Sequence, residues 1–117
     1  MQRQSIIEAV NAKQHGDGGW SMSDLGPWKR SDSTPLETSS DGYATGLITF
    51  ALQKSGLQRT DANVRRALTW LLQHQDSATG MWTASSLNKK RDPETDPGKF
   101  MSDAATAYAV LALVENQ

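Results

Sequence analysis

Gln14-His-Gly-Asp-Gly-Gly-Trp20 and Gln75-Asp-Ser-Ala-Thr-Gly-Met-Trp82 are two versions of one turn, and they decide how the rest of the chain is read. The glutamines stand 61 residues apart and the tryptophans 62, so the second copy holds one extra residue. The match extends in both directions. Upstream, Ile7 aligns with Leu68 and Val10 with Leu71; downstream, Ala44-Thr-Gly-Leu-Ile-Thr-Phe-Ala-Leu52 aligns with Ala105-Thr-Ala-Tyr-Ala-Val-Leu-Ala-Leu113. Between these, Leu25 aligns with Leu87 and the basic pair Lys29-Arg30 with Lys90-Arg91. Agreement that runs through helix, turn, loop and second helix marks an internal repeat, in which each copy buries its apolar face against its neighbour. Repeat one is assigned to 1–56 and repeat two to 57–117 of a single domain.

Each copy reads as helix, turn, long polar loop, helix. Ser5-Ile-Ile-Glu8 has capping-box spacing, and Ile7, Val10 and Gln14 share a face, which predicts a first helix over about 4–14. Its counterpart starts near Thr60 or Asp61, with Val64, Ala67, Leu68, Leu71 and Leu72 as the apolar stripe and Arg65, Arg66, Thr69 and Gln73 facing solvent. These two helices are expected to lie outside. The second helices, from Ser40 or Asp41 to Leu52 and from Ser102 to Val114, are apolar or small almost all round, the pattern of helices buried on every side. Gly56 supplies a stop for the first of them, with Leu57 folding back on its last turn, and the short link onward forces an antiparallel hairpin. All four prolines fall in the loops at 21–39 and 83–101. The expected fold class is all-α, built from two antiparallel helical hairpins.

Composition narrows the function. With 37% hydrophobic and 21% charged residues the chain is an ordinary globular domain, and a net charge of −1 gives no field to draw in nucleic acid or an anionic membrane. The absence of cysteine excludes disulfides, thiolate zinc sites, Fe–S clusters and cysteine nucleophiles, and leaves the compartment undetermined. Met1 to Glu8 shows no signal-peptide core, and the apolar run Ala104 to Val114 is too short to span a bilayer.

Gln, three or four residues, Gly, one residue, Trp, preceded in the second copy by the amphipathic helix ending Ala67-Leu-Thr-Trp-Leu-Leu-Gln-His-Gln75, resembles the QW repeat of squalene and oxidosqualene cyclases, a hairpin also found in prenyltransferase β-subunits. The resemblance covers essentially the whole chain. It implies an α/α toroid, of which two hairpins would form a part. It also implies a structural role for Gln14, Gly18, Trp20, Gln75, Gly80 and Trp82: the glutamines bind backbone at a neighbouring helix end and the tryptophans stack over them. Elementary chemistry agrees, since a Gln amide donates and accepts at once and an indole laid above it excludes water.

A cyclase of this family protonates its substrate from a D-x-D-D-T-A motif at the start of an inner helix, because an acid of that strength needs neighbouring carboxyls in an apolar cavity. In register with that motif stand Asp41-Gly-Tyr-Ala44 and Ser102-Asp-Ala-Ala105, and neither has the cluster. Asp41 and Asp103 are therefore candidate cavity or helix N-terminal carboxylates, with stabilisation of the helix start the favoured role. No catalytic residue, metal ligand set or cofactor is expected, since His15 and His74 fall at the ends of the outer helices and no cysteine accompanies them. Lys29, Arg30, Lys90 and Arg91 are candidate anion-binding residues. The expected function is that of a structural repeat module, a C-terminal or excised fragment of a squalene cyclase-like protein that is not catalytic by itself. The alternative is part of a terpenoid cyclase or prenyltransferase-like enzyme whose catalytic aspartates lie in other repeats. Expected partners are the remainder of a longer parent chain, an isoprenoid in the complete toroid, and further copies of the chain as a symmetric dimer or a trimer, but not nucleic acid.

Overall fold

The computed structural model describes residues 2–25, 39–75, 77, 80–82 and 96–115. Among them are four α-helices, α1 (Gln2–Ala12), α2 (Gly42–Lys54), α3 (Ala62–Gln73) and α4 (Asp96–Val114), with a 3-10 turn at Met22–Leu25 and no strand. Among the described residues the protein is all-helical. None of the described helices is long and apolar enough to cross a membrane.

The chain starts and stops these helices with local chemistry. Asp41 caps α2 by accepting from the Ala44 amide at 2.7 Å, and Asp61 caps α3 by accepting from Asn63 and Val64 at 3.0 and 3.1 Å. Each carboxylate satisfies amides that have no partner within the helix. The expected stop at Gly56 is present. Its φ of 107° belongs to the left-handed region, its amide reaches the Gln53 carbonyl at 3.0 Å and the Leu57 amide reaches Leu52 at 3.1 Å. That bond pair is a Schellman closure, and it turns the chain back toward α3 with Leu57 packed on the core.

Two expected boundaries move. α1 begins at Gln2, so Ser5 lies inside the helix rather than at its cap. α4 begins at Asp96, six residues before Ser102, and takes in Pro97. A proline in the first helical turn lacks only an amide that would have had no partner there, so the residue assigned to a loop is at home in the helix start.

Both hairpins are antiparallel. Trp20 joins the end of α1 to the start of α2, while Ile6 and Ile7 near the start of α1 face Ala51, Leu52 and Ser55 at the end of α2. Arg59, just before α3, donates to the carbonyls of Leu113 and Glu115 at the end of α4, both at 2.9 Å. α2 and α4 lie side by side in the same direction: Tyr43 meets Tyr108 edge to face at 5.5 Å, and Lys54 pairs with Glu115 at 3.4 Å. Gly46 permits the close approach, since a Cβ there would stand 2.7 Å from the Ala109 nitrogen. Opposite it the α4 face is lined with buried alanines, Ala105, Ala109 and Ala112.

The apolar stripe of α3 is shifted from its expected position. Val64, Ala67, Leu68 and Leu71 are buried as expected, but Leu72 is 64% exposed and Trp70 is buried in its stead. At 100° per residue Trp70 shares a side with Asn63 and Arg66, and the first turn packs on that side. The Gly18 α-carbon sits so near the Arg66 carbonyl that a Cβ would come within 2.5 Å. α2 is largely buried, whereas α4 is not enclosed all round: Val110, Leu111 and Val114 are 45, 42 and 50% exposed.

Candidate functional site

The two turns that define the repeat are built with the same bonds. In the first, the Trp20 amide donates to Thr45 Oγ1 at 3.0 Å and its indole Nε1 to the Val10 carbonyl at 2.9 Å. In the second, the Trp82 amide donates to Thr106 Oγ1 at 2.9 Å and its indole to the Leu71 carbonyl at 2.8 Å. Each threonine hydroxyl in turn donates back to the tryptophan carbonyl, at 3.3 and 3.4 Å. The glutamines follow suit: Gln14 Nε2 donates to the Gly18 carbonyl at 2.8 Å and Gln75 Nε2 to Gly80 at 2.7 Å. Gly18 and Gly80 both take positive φ, 96° and 73°, which only glycine adopts at little cost. Both tryptophans are buried, and each latches the helix before it to the helix after it.

The glutamines differ in reach. Gln14 Nε2 also donates to the Asn63 carbonyl at 3.0 Å, and Asn63 Nδ2 donates to Gln14 Oε1 at 2.6 Å, so the first turn is tied to the start of α3. Arg66 strengthens the joint by donating to the carbonyls of His15 and Gly16 at 3.1 and 3.0 Å. Gln75 is exposed and, among the described residues, makes only the bond within its own turn.

A polar pocket of about 180 Å³ lies at the start of α2, bordered by Ser40, Asp41, Gly42, Trp70, His74 and Trp82. Around it runs a network that the sequence does not signal. Ser40 Oγ is 2.9 Å from His15 Nδ1, and His15 Nε2 contacts the Asp24 carboxylate. Serine, histidine and aspartate in contact raise the question of a nucleophile. The hydroxyl hydrogen settles it, because Ser40 Oγ donates to Asp17 Oδ1 at 2.8 Å. That hydrogen goes to a carboxylate oxygen rather than to the imidazole, so the Ser40 hydroxyl is engaged in the network and not set up as a nucleophile. The arrangement orders the turn instead.

Asp17 is the hub of that network. Burial pushes its carboxyl pKa up, but the Gly19 amide at 2.9 Å, the Ser40 hydroxyl, the Trp70 indole at 3.2 Å and the nearby His15 outweigh it, and the net shift is downward from 3.8. Hydrogen bonds donated to a carboxylate favour its charged form. Asp41 is equally committed: Oδ1 accepts from Ala44 and Oδ2 from the Met22 amide at 3.0 Å. With these two carboxylates beside the start of α2, the pocket is ill suited to an anion. Among the described residues, no three His, Asp or Glu side chains converge as a metal site.

The candidate residues therefore divide. Asp41 stands at a helix N-terminus, but Asp103 does not. α4 starts seven residues earlier, which places Asp103 on the exposed surface of a continuing helix. Ser102-Asp103 has the look of a cap, and only the path of the chain over 96–101 shows otherwise. The basic candidates Lys29, Arg30, Lys90 and Arg91 lie outside the described residues. His74 takes the expected place at the end of α3, with Nδ1 2.8 Å from the Trp70 carbonyl and its ring stacked on the Trp70 indole at 4.1 Å. His15 caps no helix, its ring being held by Asp24 and Ser40.

Compared with known proteins, the chain matches no family model, no curated protein and no solved structure.

Proposed function

We propose that this chain is a structural repeat module, two hairpins of a cyclase-like α/α toroid that does no catalysis by itself and works as part of a larger assembly. One observation carries the reading: the two Gln-Gly-Trp turns, 61 residues apart, repeat the same four hydrogen-bond types on equivalent partners, Val10 and Leu71, Thr45 and Thr106, Gly18 and Gly80. A bonding scheme that uses the most specific residues of each copy for scaffolding leaves them unavailable for chemistry. The carboxylates in register with the cyclase acid support the same conclusion. Asp41 spends both oxygens on backbone amides and Asp103 faces solvent, whereas an alkene-protonating acid needs an uncommitted, buried carboxyl. In the complete toroid an isoprenoid would contact inner helices, and the residues that act on it would come from other repeats of the parent protein.

The test is turnover. Incubated with squalene, oxidosqualene or an allylic diphosphate, the chain is expected to release no cyclised or prenylated product. Product formation that disappears in Asp41→Asn would overturn the reading.

A further inference from the structure

Two apolar surfaces are open, the exposed face of α4 and the groove between α1 and α2. On α2, Gly46 lies against the α4 backbone and Tyr43 against Tyr108, and helical spacing continues that stripe through Thr49, Phe50 and Gln53. Moved by the 61-residue repeat, that stripe becomes Ala104, Ala107, Val110, Leu111 and Val114. Apart from the half-buried Ala104, all of these are exposed, and with Asp103 they are the exposed residues among those described on α4. Thr49 and Gln53 are buried, while their counterparts Val110 and Val114, more apolar than they are, lie 45 and 50% exposed. The reverse mapping works equally well. Tyr108, Ala109 and Ala112, on the side of α4 that meets α2, become Leu47, Ile48 and Ala51. Of these, Ile48 and Ala51 line an apolar groove of about 340 Å³ with Ile6, Ile7 and Val10 of α1. Ile6 is 63% exposed there.

We infer that the chain associates head to tail with a second copy of itself, the α4 face of one molecule seated on the α1/α2 groove of the next. The contact continues the α2–α4 interface already inside the molecule, with helices side by side and in the same direction. It is heterologous, two different surfaces meeting, and so differs from the self-complementary patch of a symmetric dimer. Exposed apolar side chains gathered on two sides of a small chain favour association. Ala107 stands where Gly46 does, so its methyl group holds the intermolecular helix pair further apart than α2 and α4, and Val110 and Leu111 fill the wider gap. The inference rests on the repeat reading above.

Complementation between two blocked surfaces tests it. Leu111→Arg blocks the α4 face and Ala51→Arg the groove, both at exposed positions where the fold tolerates a charge. In analytical ultracentrifugation the unaltered chain is expected to sediment above monomer mass from tens of micromolar, and each variant alone as a monomer. An equimolar mixture is expected to form a dimer of one of each, through the α4 face left on Ala51→Arg and the groove left on Leu111→Arg. A symmetric contact between α4 faces would instead let Ala51→Arg associate alone, and that result overturns the inference. So does an unaltered chain that stays monomeric at hundreds of micromolar, or a mixture that does not pair. Circular dichroism confirms the fold, and Val110→Lys with Ile6→Lys serve as a second pair if either first variant loses helix. A monomeric chain that is also inactive on isoprenoids would leave the module reading standing and remove only the self-association.

Discussion

The turn at 14–20 and the turn at 75–82 share a bonding scheme but not a setting. The first lies against the side of α3, where Gln14 grips Asn63, Gly18 presses on the Arg66 carbonyl and Asp17 accepts from the Trp70 indole. The second has its glutamine exposed, and among the described residues a Cβ on Gly80 would meet nothing nearer than Gln75 Nε2 at 3.5 Å. One sequence motif thus does two separable jobs: latching its own hairpin, which both copies do, and joining one hairpin to the next, which among the described residues only the first does. Substitutions at matched positions pull the two apart.

The largest difference is expected at the glycines. Gly18→Ala forces a side chain into both a positive φ and the Arg66 carbonyl, and is expected to destabilise the fold by about 3 kcal/mol. Gly80→Ala meets only the backbone strain, a loss of about 1 kcal/mol. Urea titration of the pair measures both, and equal losses would mean that packing on Arg66 contributes nothing.

The glutamines give the next contrast. Removing the Gln14 side chain leaves the Asn63 amide without its partner, and Gln14→Ala is expected to lose about 2 kcal/mol. Gln75→Ala, at an exposed site, is expected to stay within about 0.5 kcal/mol of the parent. A double-mutant cycle of Gln14 with Asn63 should show coupling, and additive losses would break the assignment of Gln14 as the joint between hairpins.

The smallest effect concerns pH. Asp17 has a folded pKa below its ordinary 3.8, so its stabilising contribution is fully present above that unfolded value and is lost as pH falls through the lower folded one. Asp17→Asn is therefore expected to be less stable than the parent near neutrality, with the gap closing in strong acid. The positions that match Asp17 in the second turn are Ala78 and Thr79, so that turn has no corresponding carboxylate. Melting curves at pH 7 and below pH 3 decide the point, and a gap that widens in acid would reverse the assignment.

The features readable from sequence were those with local causes. Gly56 with Leu57, Asp61 before Ala62, and Asp41 before Gly42 each act within a few residues, and the structure uses all of them. The repeated turns were legible because the same residues appear twice. What escaped was set by distant neighbours. Trp70 displaced Leu72 from the buried stripe because a turn more than 50 residues earlier in the chain covers that side of α3. The Ser40–His15–Asp24–Asp17 network spans up to 25 residues without periodicity to announce it. Gln53, polar in sequence, is buried at 4% exposure with neither amide atom hydrogen-bonded among the described residues, a placement no propensity would suggest.

Arg59 belongs to the link between the hairpins, yet its guanidinium holds the last carbonyls of α4, more than 50 residues onward. With Gln14 fastened to Asn63 a few residues on, at the start of α3, fraying of α4's last turn is coupled to the link itself, and neither hairpin can open without loosening a bond to the other. The two repeats should therefore behave as one cooperative unit, with backbone amides at the end of α2 and the end of α4 exchanging their hydrogens with solvent at matched rates rather than as two independent beads.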